Sequence, residues 1–98
     1  MRVLLKMQIP VEAGNEAIRS GGMPKAIKEF AERAKPEAMY FTLDGGTRTM
    51  FAVVDMASAS DMPRLLEPVF MGMNARIDAT PCMNAEELAA GLHSASLA

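Results

Sequence analysis

The chain has 98 residues, half of them hydrophobic and 22% charged, with a formal net charge of −2, which gives one domain over residues 1–98 that buries roughly 60 to 65% of the surface its unfolded chain exposes. Interspersed charge, no Trp and one Tyr leave no footprint for a nucleic acid partner, and the longest apolar runs, Val3 to Leu5 and Phe51 to Val54, fall far short of the roughly 20 residues a membrane span needs. A single cysteine, Cys82, excludes an internal disulfide and suits a reducing compartment, and Met1 to Ile9 alternates like a strand rather than a secretory leader, so a cytoplasmic protein is expected.

"RVLLKMQI", residues 2–9, places Val3, Leu5, Met7 and Ile9 on one face and Leu4, Lys6 and Gln8 on the other, the period of a strand. Pro10 ends it. "GNEAIRSGG" offers Asn15 as the cap of a short helical stretch that Gly21 and Gly22 interrupt. In "MPKAIKEFAERAKP", Ala26, Ile27, Phe30, Ala31 and Ala34 recur at helical spacing. Pro24 stands where its missing N–H costs nothing, and Lys35 and Pro36 close the helix.

"AMYFTL" and "TRTMFAVVDM" are β-prone runs joined by "DGG", a hairpin signal because Asp-Gly and Gly-Gly supply the positive φ that tight turns require. "SASDMPRLLEPVFMGM" predicts a helix capped by Ser58 or Ser60, with Leu65, Leu66, Val69 and Phe70 on a buried face. Pro68 predicts a kink or two short pieces. "ARIDAT" is a fourth strand stopped by Pro81, and "NAEELAAGL" a last helix with Asn84 and Glu87 in capping-box positions.

The order is βαββαβ with a C-terminal helix, which predicts an α+β domain of the split βαβ, or ferredoxin-like, kind. Its sheet carries the crossover helices on one face and leaves the other bare. With Gly45 and Gly46 as the turn, Thr42 pairs with Thr49 and Tyr40 with Phe51. Met39, Phe41, Leu43, Met50, Ala52 and Val54 then go under the helices, as do Val3, Leu5, Met7, Ile9, Ala75, Ile77 and Ala79. The bare face carries Leu4, Lys6, Gln8, Tyr40, Thr42, Thr49, Phe51, Val53, Arg76 and Asp78. Leu4, Tyr40, Phe51 and Val53 form an apolar patch of the size that implies a partner, so a homodimer through the open sheet face is expected.

That chain order with a half-apolar open face resembles the dimeric α+β barrel superfamily, in which two ferredoxin-like protomers bring their sheets together. "IPVEAGNEAI", "KPEAMYF", "EPVF" and "ATPCMN" are also similar to a small bacterial branch of it with no established activity. The superfamily includes monooxygenases without a cofactor, muconolactone isomerases, haem-degrading enzymes and stress-responsive proteins. The branch supplies no catalytic residue to carry over.

"FMGMNARIDATPCMN", residues 70–84, holds Met71, Met73, Cys82 and Met83, side chains that suit a soft metal. The intervening strand spans roughly 25 Å, which keeps the two pairs apart, and ten methionines scattered through the chain read as core filling. No metal and no cofactor are expected. His93, the one histidine, has no partner pattern for zinc or a triad, and "DGG" and "SGGMP" lack phosphate-loop spacing. Glu12, Asn15 and Glu16 read as solvated loop residues, or as the mouth of a cavity.

The stronger candidate is the polar set on the open face. Lys6, Gln8, Tyr40, Thr42, Phe51, Arg76 and Asp78 are the candidate ligand-binding residues, with the two cations placed to hold a small carboxylate or phenolate. The competing expectation is an ion pair of Lys6 or Arg76 with Asp78 that fixes dimer register. The sequence therefore predicts a small homodimer that binds a small organic molecule between its sheets. A cofactor-independent monooxygenase- or isomerase-like enzyme, in which Asp78 or Tyr40 moves a proton, is the alternative, and a structural interaction module is the third reading. Whether there is catalysis is left open.

Overall fold

The computed structural model describes residues 1–97. In chain order it contains β1 (Arg2–Ile9), α1 (Val11–Ser20), α2 (Gly22–Ala34), β2 (Ala38–Asp44), β3 (Thr47–Asp55), α3 (Asp61–Met73), β4 (Arg76–Pro81) and α4 (Ala85–Ser94). This is an α+β fold with four helices and one antiparallel sheet of order β2-β3-β1-β4. It is compatible with a ferredoxin-like arrangement and departs from a plain βαββαβ chain in two places: two helices make the first crossover, and a further helix follows β4.

Pro10 ends β1, and its carbonyl accepts from the Gly14 N–H at 2.8 Å. The helix therefore starts at Val11, with Glu12 in its first turn, where a carboxylate suits the positive end of the dipole. Asn15 is thus an interior residue of α1 and not its cap. Gly21, at φ +78°, closes α1 and opens α2, and this left-handed position is one that glycine takes without steric cost. Lys35 ends α2 in the same region, ahead of Pro36, as the sequence predicts.

The hairpin turns at Gly45 and Gly46, both at positive φ, with Thr42 opposite Thr49 and Tyr40 opposite Phe51. That is the register the glycine pair predicts. α3 runs unbroken through Pro68 and not as the two short pieces that the proline could produce, because buried Leu65, Leu66 and Met73 and the packed Val69 hold both sides of it on the sheet. Phe70 falls beside that stripe and is exposed. α4 forms its capping box in both directions, Glu87 N–H to Asn84 Oδ1 at 2.8 Å and Asn84 N–H to Glu87 Oε1 at 3.0 Å.

The core lies between the helices and the odd-numbered side of β1. Val3, Leu5 and Met7 meet Met50, Ala52 and Val54 of β3, with Phe30, Met56, Leu65 and Leu66 above them. A second cluster joins Ile9, Met73 and Ala75 beneath α1 and the start of α2. The helix layer stops short of β2, an edge strand. Phe41 and Leu43, expected beneath it, are 56% and 69% exposed, and Ala79 on the opposite edge strand β4 is exposed as well. α4 buries none of its residues. The described chain measures 53 × 28 × 17 Å with a radius of gyration of 15.4 Å, whereas a compact domain of this length has about 12.5 Å. The fourth helix extends from the body.

Candidate functional site on the open sheet face

Successive side chains of a strand point to opposite faces, so the register of the sheet fixes what lies opposite the helices. Three rows cross all four strands. The first holds Ala38, Val53, Leu4 and Thr80; the second Tyr40, Phe51, Lys6 and Asp78; the third Thr42, Thr49, Gln8 and Arg76. All seven candidate residues fall in the second and third rows. The strand order brings Lys6 and Arg76 onto neighbouring strands, as expected.

The polar contacts run toward the hairpin. Lys6 Nζ reaches Asp44 Oδ2 at 2.6 Å, and Gln8 Nε2 donates to Thr49 Oγ1 at 3.4 Å and to the Asp44 carbonyl at 3.5 Å. Thr49 passes its own hydroxyl to the Thr47 carbonyl at 2.9 Å and is buried. Within the chain Lys6 forms no pair with Asp78, although the two stand opposite each other. Lys6 extends diagonally along its flexible four-carbon stem to Asp44, a residue that the sequence signal assigns to the turn. Arg76 and Asp78 form no ion pair among the described residues. They leave a cation and an anion two residues apart on one strand.

At the other end of the face, Arg2 pairs with Glu37 and with Glu87 of α4. The hydrogen bond to Glu37 raises the Arg2 guanidinium above its ordinary range. The Met1 amino group, 2.8 Å from Asp55 Oδ1, holds that carboxylate below its usual value. Arg2 shares its side of β1 with Leu4 and Lys6, so Glu87 ties the first turn of α4 to a corner of the open face.

The remaining candidates separate. Met73 is a core residue, Met71 and Met83 are exposed, and Cys82 is half-buried with its N–H on the Arg2 carbonyl. Among the described residues no group of three His, Cys, Asp or Glu side chains is placed to hold a metal. His93 stands in the last turn of α4, where a cation is mildly favoured. Glu12, Asn15 and Glu16 lie on α1 rather than in a loop; Asn15 Oδ1 accepts from Arg48 Nη2 at 3.0 Å, and Glu16 borders a groove near Asn74.

The face thus has an apolar part, Leu4, Phe51, Val53 and the 71%-exposed Tyr40, beside a strip of donors and acceptors. Such a surface suits a flat molecule with one polar edge. No protein-family model matches the chain, and no curated protein matches it significantly.

Proposed function

We propose that the chain is a ferredoxin-like protomer of a cytoplasmic dimeric α+β barrel, a homodimer joined through the open sheet face that holds a small organic molecule between its two sheets. The observation that carries this reading is the pair of rows Tyr40, Phe51, Lys6, Asp78 and Thr42, Thr49, Gln8, Arg76, left uncovered by any helix. Packed sheets stand about 10 Å apart. Two copies facing each other at that spacing place Tyr40 and Phe51 against an apolar ligand body and leave the unpaired Arg76 and Asp78 to meet its polar end.

α4 supports the same reading. It starts at the Arg2 corner of this face and leaves Leu88 and Leu92, one turn apart, and Leu97 beyond them, exposed. A ten-residue helix is shorter than the roughly 12 to 15 residues at which isolated helices become marginal in water, so a partner surface is the natural cover for that stripe.

Native mass spectrometry of the untagged protein, purified from its own cells without chelators, tests the reading. A dimer with a reproducible added mass is the expected result. A monomer at micromolar concentration overturns the assembly, and a dimer of bare chains overturns the ligand.

A further inference from the structure

A pocket of about 240 Å³ lies on the opposite side of the sheet, between α2, α3 and the exposed inner face of β2. Its walls include Ile27, Phe30, Phe41, Met50, Val69 and Met73, and the cations Arg33 and Arg48 also line it. It exists because the helix layer stops short of β2. The half-exposed Phe41 ring marks its open side.

Arg33 is incompletely satisfied there. Its Nη2 donates to the Leu65 carbonyl at 3.2 Å and its guanidinium carbon stands 5.9 Å from the centre of the Phe30 ring. Its Nε–H has no acceptor among the described residues and is shut off from solvent, so the guanidinium meets a ligand through its Nη atoms. Arg33 forms no ion pair among them either, although Glu29, one helical turn earlier, borders the same pocket. Arg48 gives its protons to neutral oxygens, the Val11 carbonyl and Asn15 Oδ1. A carboxylate satisfies a guanidinium better than any neutral group.

We propose that this pocket binds a small apolar carboxylate, with the acid on Arg33 and the hydrocarbon among Ile27, Phe41, Met50 and Val69. At the ~30 Å³ that a water occupies in the liquid, the volume admits about eight heavy atoms, the size of a six-carbon fatty acid. The site belongs to each protomer alone. Thr42 and Thr49 of the third row also border it, but its apolar walls and both cations lie on the helix side of the sheet, so the proposal does not rest on the dimer.

The test is a titration of methyl-labelled methionines in the full chain with hexanoate, followed by nuclear magnetic resonance. Met23, Met50 and Met73 border the pocket, whereas Met1 and Met83 lie elsewhere. Hexanoate is expected to move the first three signals and to leave the other two in place. It is expected to bind at least about tenfold more tightly than 1-hexanol, the worth of one charge-assisted hydrogen bond, and Arg33→Met is expected to abolish that preference. Equal affinity of acid and alcohol for the native chain overturns the proposal, as do shifts at Met1 and Met83 in place of the pocket signals. Because the acid-to-alcohol ratio is read on the native chain, it decides whether the pocket selects an acid even if Arg33→Met does not fold, and an Arg48→Met chain that loses the preference overturns the assignment to Arg33.

Discussion

Arg48 lies across Gly14 so closely that a Cβ on Gly14 would stand 2.4 Å from Arg48 Nη1. From that position the guanidinium donates to the Val11 carbonyl at 3.4 Å and to Asn15 Oδ1 at 3.0 Å, fastening α1 to the start of β3. Replacing glycine by alanine inside a helix normally stabilises it by about 1 kcal/mol. Here Gly14→Ala must displace the guanidinium and lose hydrogen bonds worth about 1 kcal/mol each. The expected outcome in urea is no gain, or a loss of up to about 1 kcal/mol, in the native background. In an Arg48→Met background the same change stabilises by about 1 kcal/mol. Equal effects in the two backgrounds would show that Arg48 does not restrict this helix.

Pro68 offers a second test of local energetics. Without an N–H it leaves the Arg64 carbonyl short of its helical donor, yet α3 continues to Met73. An interior proline costs a helix about 3 kcal/mol when nothing relieves it. Pro68→Ala restores the donor on a residue that is itself exposed, and it is expected to stabilise the chain by about 1 to 3 kcal/mol in urea unfolding. A loss of stability would mean that the packing of Pro68, which also borders the pocket beside Arg33, outweighs the hydrogen bond.

The features that the sequence reveals are those set by local chemistry. Gly45 and Gly46 determine the hairpin register, and with it the membership of the open face, because a period of two leaves no freedom once one pair is known. Asn84 and Glu87 form their capping box for the same reason: both partners lie within four residues. The start of α1 is also carried by "IPVEAG", in which Pro10 precedes the helix and Glu12 falls in its first turn, whereas Asn15, a stronger cap by residue type, lies inside the helix. What local chemistry does not reveal is how far the helix layer reaches. The period of two places Phe41 and Leu43 on the helix side of β2, yet their cover depends on where α2 and α3 settle, and so the pocket beside Arg33 has no signature in the chain order. The Lys6–Asp44 pair was hidden in the same way, because a long side chain selects among several carboxylates that only the assembled sheet brings within reach.

The dimer reading makes Tyr40 a sensitive position. Its side chain is largely exposed in the single chain, and substitutions at such sites usually change stability by less than about 0.5 kcal/mol. At the centre of a desolvated interface an aromatic residue is instead often worth 2 kcal/mol or more. Tyr40→Glu is therefore expected to leave the urea midpoint of the dissociated chain unchanged and to weaken association by about thirtyfold or more in sedimentation velocity. Unaltered association would remove Tyr40 from the interface and the open face with it.

The C-terminal helix separates assembly from folding most cleanly. α4 has a complete capping box, worth about 1 kcal/mol, but no buried side chain of its own, and Leu88 and Leu92 form its exposed stripe. A cap and one ion pair, Arg2 with Glu87, do not sustain ten residues of helix in water. The amides of residues 88–94 are therefore expected to exchange rapidly in dilute protein and to gain protection as the concentration rises and a second copy covers the stripe. Combining Leu88→Asp with Leu92→Asp should remove that concentration dependence and weaken the dimer, while the urea midpoint of the dissociated chain stays within about 0.5 kcal/mol of its original stability, because neither leucine belongs to the core. Protection that is already complete at the lowest concentration would mean that α4 is held within its own protomer. Rapid exchange persisting in a dimer measured in the same sample would mean that the helix takes no part in the contact, leaving the open sheet face to carry it alone.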